Sequence, residues 1–204
     1  MGVYIPKSFQ WQDEDEISEF ITRHSFALLI TSEDNHPLCT HLPMYYDKDK
    51  QMLLAHMAKA NSQWRAMDGS PCLCIFSGPH AFISPEWYDL PQSVPTWNYV
   101  AVHIQGTCRL VKDEIELEEI LEKLIYAYEP HSKLPMDSKQ HYYQQMMKAI
   151  VGFKVEIDLV EGCKKLSQNK PLAVQQRVIE QLQAKNDWND VQVARWMQKN
   201  IVHK

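Results

Sequence analysis

The sequence has few glycines, and they are not arranged as nucleotide-binding loops. Its 204 residues include six glycines, which form neither G-x-G-x-x-G nor G-x-x-x-x-G-K-[ST]. A Rossmann dinucleotide site and a P-loop are therefore disfavoured, because both need closely spaced glycines beside the phosphates. The sequence also lacks H-E-x-x-H and G-x-S-x-G, which disfavours zinc proteases and α/β-hydrolases.

Long apolar runs and paired cysteines are also missing. No run of about 18 apolar residues occurs, and the start of the chain lacks the basic-then-apolar pattern of a secretory signal, so we expect a cytoplasmic protein without membrane spans. The five cysteines form no C-x-x-C pair, which argues against a disulfide framework and a structural zinc site. We therefore expect reduced thiols and no metal site. The cysteines are Cys39, Cys72, Cys74, Cys108 and Cys163.

Charge gives little support to nucleic-acid binding. The formal net charge is −5, so DNA could bind only through a local basic patch. The C-terminal segment from about residue 172 has an excess of only two basic residues. Its basic residues are Arg177, Lys185, Arg195, Lys199 and Lys204, and its acidic residues are Glu180, Asp187 and Asp190.

Short alternating apolar segments separated by turn clusters predict a β-rich α+β fold. Repeated short strands favour a barrel or sandwich over a parallel α/β sheet. A strict apolar alternation at 151–159 predicts a further strand. The other predicted strands are 26–31, 38–45, 51–57, 72–77, 81–84 and 97–111.

Helical periodicity predicts helices around this β-rich region. Asp13 with Glu16 forms a capping box, and Asp113 is expected to cap a second helix. A third helix is expected at 142–148, and two more in a C-terminal extension from about 172, divided near Asn186. No linker or repeat interrupts the chain, so we expect one domain, 1–204, with that extension.

A polar and aromatic segment follows the predicted strand 51–57. Asn61 is a good N-cap for a short helix, and a helix start flanked by Lys59 and Arg65 can hold a phosphate. The alternative is that Asn61 only caps, Trp64 packs and Arg65 is solvated.

Three other segments suit either a ligand or ordinary structure. Segments 77–88 and 94–103 bring aromatic and hydrogen-bonding groups to strand ends, where a planar ligand could bind or the aromatics could fill the core. Segment 165–170 is too polar for a core; it could close over a ligand or form an exposed loop.

These segments together resemble the PaiB-like family of FMN-binding negative transcriptional regulators. The resemblance covers most of the chain and implies an FMN-binding split β-barrel with peripheral helices, normally a homodimer with flavin sites near the subunit interface. It departs at Lys170, where the family usually has Arg, and at Gly162-Cys163-Lys164, which replaces a more usual Gly-Lys start. The motifs that carry it are 4–7, 40–43, 56–65, 76–80, 94–99 and 165–169.

The resemblance also implies a set of FMN-binding residues. One group is expected near the flavin phosphate: Thr40, His41, His56, Met57, Ala58, Lys59, Asn61, Gln63, Trp64 and Arg65. The other group is expected near the ring system: Trp97, Asn98, Lys165, Ser167 and Gln168. No catalytic residue is assigned.

Three functions are compatible with the sequence. The first is a flavin-responsive transcriptional regulator, and the second is an FMN-dependent oxidoreductase resembling flavin reductases or pyridoxamine-phosphate oxidases. The third is a haem-binding relative, for which nine histidines supply candidate ligands.

Overall fold

An eight-stranded sheet dominates the computed structural model, which describes residues 2–131 and 141–202. The strand order is β3-β2-β6-β7-β8-β5-β4, and β1 pairs with β8. This sheet confirms the predicted β-rich fold. The strands are β1 (Gln10–Trp11), β2 (Phe26–Glu33), β3 (His36–Pro43), β4 (Tyr45–Asp47), β5 (Met52–Ala58), β6 (Pro71–Ile83), β7 (Thr96–Leu110) and β8 (Ile150–Lys165).

The helices agree with the predicted positions. Asp113 caps α2 by accepting a 2.9 Å hydrogen bond from Glu116 N, and α4 ends at Asn186, whose φ of 55° is left-handed. Lys204 lies outside the described residues, and no described helix is long and apolar enough to cross a membrane. The α-helices are α1 (Glu14–Arg23), α2 (Glu114–Tyr128), α3 (His141–Lys148), α4 (Leu172–Lys185) and α5 (Trp188–Val202). Short 3₁₀ helices span Lys7–Phe9, Ser62–Ala66 and Pro85–Tyr88.

The prediction of two separate strands at 72–77 and 81–84 is wrong, because both belong to the continuous strand β6. Gly78-Pro79, a dipeptide common in turns, lies between the two predicted strands. Burial alternates through Phe76, slips by one residue, and resumes at Pro79. A one-residue slip of this kind, as at a β-bulge, lets a strand continue past a glycine and a proline.

The chain forms two compact units, and β6, β7 and β8 contribute residues to both. Unit 1 comprises Met1–Asp13, Ser77–Val102 and Glu161–Lys204, whereas unit 2 comprises Glu14–Phe76 and His103–Val160. The unit boundaries therefore fall within long strands rather than in a linker.

Unit 2 contains the hairpin of β2 and β3 and the strand β5 covered by α2. Phe26 pairs with Pro43 and Glu33 with His36 in the antiparallel hairpin. Leu54 of β5 packs against Ile120 and Leu124 of α2 in a buried cluster. Apolar burial on this face stabilises the helix on the sheet.

Unit 1 contains the pair of terminal helices, which pack through fully buried residues of α4 and α5 such as Val178 and Val193. Trp196 of α5 contacts Trp11 of β1 edge to face, with ring centroids 5.4 Å apart. The Lys164 ammonium lies 4.8 Å from the Trp11 ring centroid. These contacts fix α5 to the strands of its own unit.

Candidate functional site

The segment after β5 forms a tight turn held by backbone contacts. Lys59 N donates to Ala149 O over 2.8 Å, and Asn61 N donates to Ala58 O over 2.9 Å. The Trp64 indole Nε1 donates to Lys59 O over 3.0 Å. The turn is thereby fixed at one end to Ala149, the residue before β8, and closed by Trp64 at the other.

Asn61 caps the short helix, as predicted, and the cap occupies one of the N-terminal amides of that helix. It is a five-residue 3₁₀ helix, Ser62–Ala66, and its Gln63 N–H already donates to Asn61 Oδ1 over 3.0 Å. A single short turn has few aligned peptide dipoles, so it lacks the field of a longer α-helix. An anion site on this turn would therefore draw its positive charge from side chains rather than from a helix dipole.

Thr40 links strand β3 to this turn through two side-chain hydrogen bonds. Its hydroxyl donates to Gln63 Oε1 over 2.5 Å and accepts from Asn61 Nδ2 over 2.8 Å. The family resemblance predicts these three residues near a flavin phosphate, and the structure joins them in one polar network within unit 2.

Gln63 anchors the network in the interior of unit 2. Its side chain is 3% exposed, and its Nε2 donates to Thr31 Oγ1 over 3.0 Å. The carbonyl oxygens of Leu29 and Leu38 lie 3.4 Å from the same nitrogen. A buried amide needs such partners, since an unsatisfied one is costly.

Lys59 and Arg65 are exposed cations on the same turn. The Arg65 Cζ lies 5.9 Å from the Trp64 ring centroid, a cation–π contact. Neither side chain forms an ion pair or hydrogen bond with another described residue. Neither positive charge is therefore paired with a described carboxylate.

His41, His56, Met57 and Ala58 differ in their access to a ligand. His41 is exposed and stacks on Phe26, with ring centroids 6.0 Å apart, and Ala58 is exposed at the end of β5. Met57 is 4% exposed and belongs to the core. Its side chain cannot be reached from solvent, so only its backbone could contact a ligand.

His56 is half-buried on the face of β5 that carries Leu54, opposite Gly152 of β8. Its Nδ1 is buried without a hydrogen-bond partner among the described residues. Burial lowers the pKa of His56 below the ordinary value of 6.5, because desolvation disfavours the imidazolium. The imidazole is therefore neutral at neutral pH.

The predicted ring-contacting residues all belong to unit 1, and two of them are buried. Asn98 is 0% exposed and Ser167 is 4% exposed; Asn98 Nδ2 lies 3.0 Å from Ser167 Oγ. Asn98 Nδ2 also contacts the Met197 sulfur at 3.5 Å. The polar groups of both side chains thus have hydrogen-bond partners inside unit 1.

The segment 165–168 is partly buried rather than an exposed loop. Lys165 Nζ donates to Thr96 Oγ1, and Gln168 Oε1 accepts from Leu166 N over 2.7 Å. Ser167 has a left-handed φ of 60°. Internal contacts therefore hold this turn in place.

Trp97 is the most exposed of the predicted ring-contacting residues, at 52%. Its ring centroid lies 5.9 Å from that of His80 and 6.0 Å from that of Phe82. The three rings form an aromatic surface on β6 and β7 within unit 1.

Sequence reasoning missed Thr31 and the residues around the Lys59 side chain. Thr31 is only 6% exposed and follows Ala27 and Leu29 on the buried face of β2. A polar residue at a position where the alternation predicts an apolar one could have indicated a buried hydrogen-bond partner. Lys59 lines a cleft of about 530 Å³ with Glu114, Glu118 and Lys148. No short-range motif links these positions.

Comparison with solved structures supports the fold class. The FAD and haem binding protein from Mycobacterium smegmatis has a TM-score of 0.61 and 14% identity, covering 76% of this chain and 73% of that chain. The flavocytochrome Anf3 from Azotobacter vinelandii has a TM-score of 0.63 and 13% identity, covering 79% and 72%. These likenesses confirm the predicted α+β split-barrel fold.

Sequence comparison extends over nearly the whole chain. The "Protease synthase and sporulation protein PAI 2" of Bacillus subtilis (strain 168) is 36% identical over 205 aligned residues, covering 98% of each chain. The family model described as "Putative FMN-binding domain" matches residues 3–159, which confirms FMN as the cofactor predicted for the family. The chain therefore belongs to the PaiB-like family of FMN-binding proteins.

Proposed function

We propose that this chain binds FMN as a homodimer and acts as a flavin-responsive regulator of the PaiB type. The observation that supports the binding site is the turn of unit 2, in which the exposed residues Lys59 and Arg65 flank Asn61 in sequence and the Asn61 amide is held in place by hydrogen bonds. We assign the FMN phosphate to this turn.

The side chains of the turn fit a phosphate monoester. A dianionic phosphate needs cationic partners and hydrogen-bond donors, and charge-assisted hydrogen bonds are about twice as strong as neutral ones. Lys59 supplies a compact charge and Arg65 a planar fork of donors. Asn61 Nδ2 has two hydrogens, of which the contact with Thr40 uses one.

The role of the chain toward FMN is binding and orientation. FMN supplies hydride or electron chemistry when bound, whereas the protein positions it and controls access. Lys59 and Arg65 neutralise the phosphate, and Asn61 fixes its position.

The regulatory role is supported by the sporulation protein of Bacillus subtilis that this chain resembles. Regulation would work if FMN occupancy biased the contact of the dimer with DNA or another protein. The terminal helices offer little free charge for DNA, since Arg177 donates to the carbonyls of Trp87 and Tyr88. Lys185 Nζ lies 3.4 Å from Asp190 Oδ2.

DNA binding by such a chain should be weak and steeply salt-dependent, because few cations remain to neutralise phosphates. A gel-shift titration at several ionic strengths, with and without FMN, measures this. Tight, salt-insensitive, sequence-specific binding would contradict the conclusion that the terminal helices offer few free cations to DNA.

The homodimer is supported by an exposed apolar surface on unit 1. Phe82, Trp97 and Tyr99 are 41%, 52% and 38% exposed, and surfaces of this kind commonly mark a protein interface. Light scattering should give twice the chain mass of 23.9 kDa. Trp97→Ala should weaken the dimer, whereas Trp188→Ala, which removes a tryptophan 66% exposed on α5, should not.

A cytoplasmic location is supported by the thiols. All five cysteines are free, four of them buried and Cys39 exposed. Proteins of oxidising compartments commonly pair their cysteines, whereas reducing compartments keep them as thiols.

The test of the proposed cofactor is direct. The absorbance spectrum of freshly purified protein should show flavin bands, and calorimetry should show tighter binding of FMN than of riboflavin. Haem bands, or equal affinity for the two flavins, would overturn the assignment. Steady oxidation of a reduced nicotinamide would favour an FMN-dependent oxidoreductase instead.

A further inference from the structure

We infer that Thr40 and Gln63 are positioning residues, which fix the Asn61 amide so that its second N–H meets the oxyanion while they themselves do not touch it. This inference rests on the proposed FMN site and names which residues of that site contact the phosphate. It follows from the direction of each hydrogen bond in the network.

The orientation of Gln63 is set from the interior. Three acceptors surround its Nε2, namely Thr31 Oγ1 at 3.0 Å and the carbonyl oxygens of Leu29 and Leu38 at 3.4 Å. Backbone carbonyls can only accept, so the nitrogen of the Gln63 amide must face them. Its Oε1 therefore faces Thr40 and can only accept from the Thr40 hydroxyl.

The orientation of Asn61 is set independently by the backbone. The Gln63 N–H can only donate, so the Asn61 atom 3.0 Å from it must be Oδ1. Asn61 Nδ2 then faces Thr40 and donates to its hydroxyl oxygen over 2.8 Å. The two orientations agree, because Thr40 must accept from Asn61 and donate to Gln63.

The consequence for Thr40 is that its only hydroxyl hydrogen is already used. What remains on Thr40 Oγ1 is a lone pair, which repels a phosphate oxygen. The second hydrogen of Asn61 Nδ2 has no acceptor among the described residues. Asn61 is partly exposed beside Lys59, so this hydrogen is the neutral donor that the network leaves for an oxyanion.

The test compares FMN, riboflavin and inorganic phosphate by calorimetry on the full chain freed of flavin. Thr40→Val should weaken FMN binding several-fold and leave riboflavin unchanged, whereas Thr40→Ser should restore affinity. Thr22→Val is the matched control, because the Thr22 hydroxyl also makes a local hydrogen bond, to Ser18 O at 2.9 Å on α1. It should bind both flavins like the wild type.

Asn61→Asp separates the capping role from the donor role. Asp is as good an N-cap as Asn, so the fold is retained, but the variant has no N–H for the oxyanion and adds a negative charge. FMN and inorganic phosphate should bind at least tenfold more weakly and riboflavin unchanged. Asn61→Gly also removes the donor, adds no charge and weakens the cap only slightly, so it should bind FMN several-fold more weakly, whereas a merely structural Asn61 would leave FMN affinity unchanged in this variant.

The decisive measurement is the double variant of Thr40→Val and Asn61→Asp. If Thr40 acts through Asn61, the double variant binds FMN no more weakly than Asn61→Asp alone. Multiplied losses would show that Thr40 contacts the phosphate and would overturn the inference, as would an equal loss for riboflavin. Equal FMN and riboflavin affinities in the wild type would overturn the proposed function itself.

Gln63 is tested by Gln63→Met, which keeps the length of the side chain and removes both polar ends. We expect a selective loss for FMN, with no further loss when Thr40→Val is added. Because Gln63 is buried, this variant could unfold; the Thr40 series decides the inference in that case.

Discussion

Replacing Arg65 by Ala should weaken FMN binding selectively. The Arg65 guanidinium is exposed, lies 5.9 Å from the Trp64 ring centroid, and has no ion pair with another described residue. Trp64 is held by its own hydrogen bond to Lys59 O. The arginine is therefore an oriented but uncommitted cation at the proposed phosphate site.

The size of the effect follows from that environment. Hydrogen bonds to charged groups contribute roughly 1.5–3 kcal/mol, and solvent exposure screens such contacts. We therefore expect the low end, about 1.5 kcal/mol, which corresponds to about a tenfold higher Kd for FMN. Riboflavin lacks the phosphate and should change by less than about twofold.

Calorimetry at two salt concentrations measures both affinities. Arg65→Lys should recover part of the loss, because it keeps the charge but not the planar fork. Arg23→Ala is the matched control, since Arg23 is an exposed arginine of unit 2 that pairs with Glu19 at 2.6 Å. Equal losses for FMN and riboflavin, or no loss for either, would refute the role of Arg65.

Three further predictions concern titration, thiol exposure and close packing. Since burial lowers the pKa of His56, the unfolded chain binds the proton better; the free energy of unfolding should therefore fall as pH drops below 6.5. Urea denaturation of His56→Leu should show a shallower fall. A thiol reagent should modify Cys39 first, because the other cysteines are buried, and native Cys39→Ser should not react on that timescale. Gly106→Ala places a Cβ 2.3 Å from Glu156 O and should lower the free energy of unfolding by about 1–3 kcal/mol, measured in urea.

Local signals predicted the helices and most strands, but not β1, and they merged parts of β3 and β4 into one strand at 38–45. The helix caps Asp113 and Asn61 could be predicted from the sequence, because each cap accepts from a backbone amide only two or three residues further along the chain. Strand β6 was predicted as two strands, and the break between them falls at Gly78-Pro79, a dipeptide common in turns. Pairing with neighbouring strands overrides such a signal when a one-residue slip accommodates the proline.

The hydrogen-bond network could not be predicted because its partners are distant in sequence. Gln63 and Thr31 are 32 residues apart, and Asn61 and Thr40 are 21 apart. The family resemblance predicted that Thr40, Asn61 and Gln63 belong to one site. Which of them donates and which accepts depends on the carbonyls of Leu29 and Leu38, which only the fold places there.

Burial and internal hydrogen bonds also limit which of the predicted residues can contact a flavin ring. A ligand needs polar atoms that the protein has not already satisfied, and Asn98 and Ser167 satisfy each other in the interior of unit 1. Their exposure of 0% and 4% leaves no surface for a ring. Trp97 is different, because half of its indole is open and its neighbours are aromatic. Within unit 1, such an open aromatic face suits a planar ligand, whereas Asn98 and Ser167 instead hold the strand and the turn in shape.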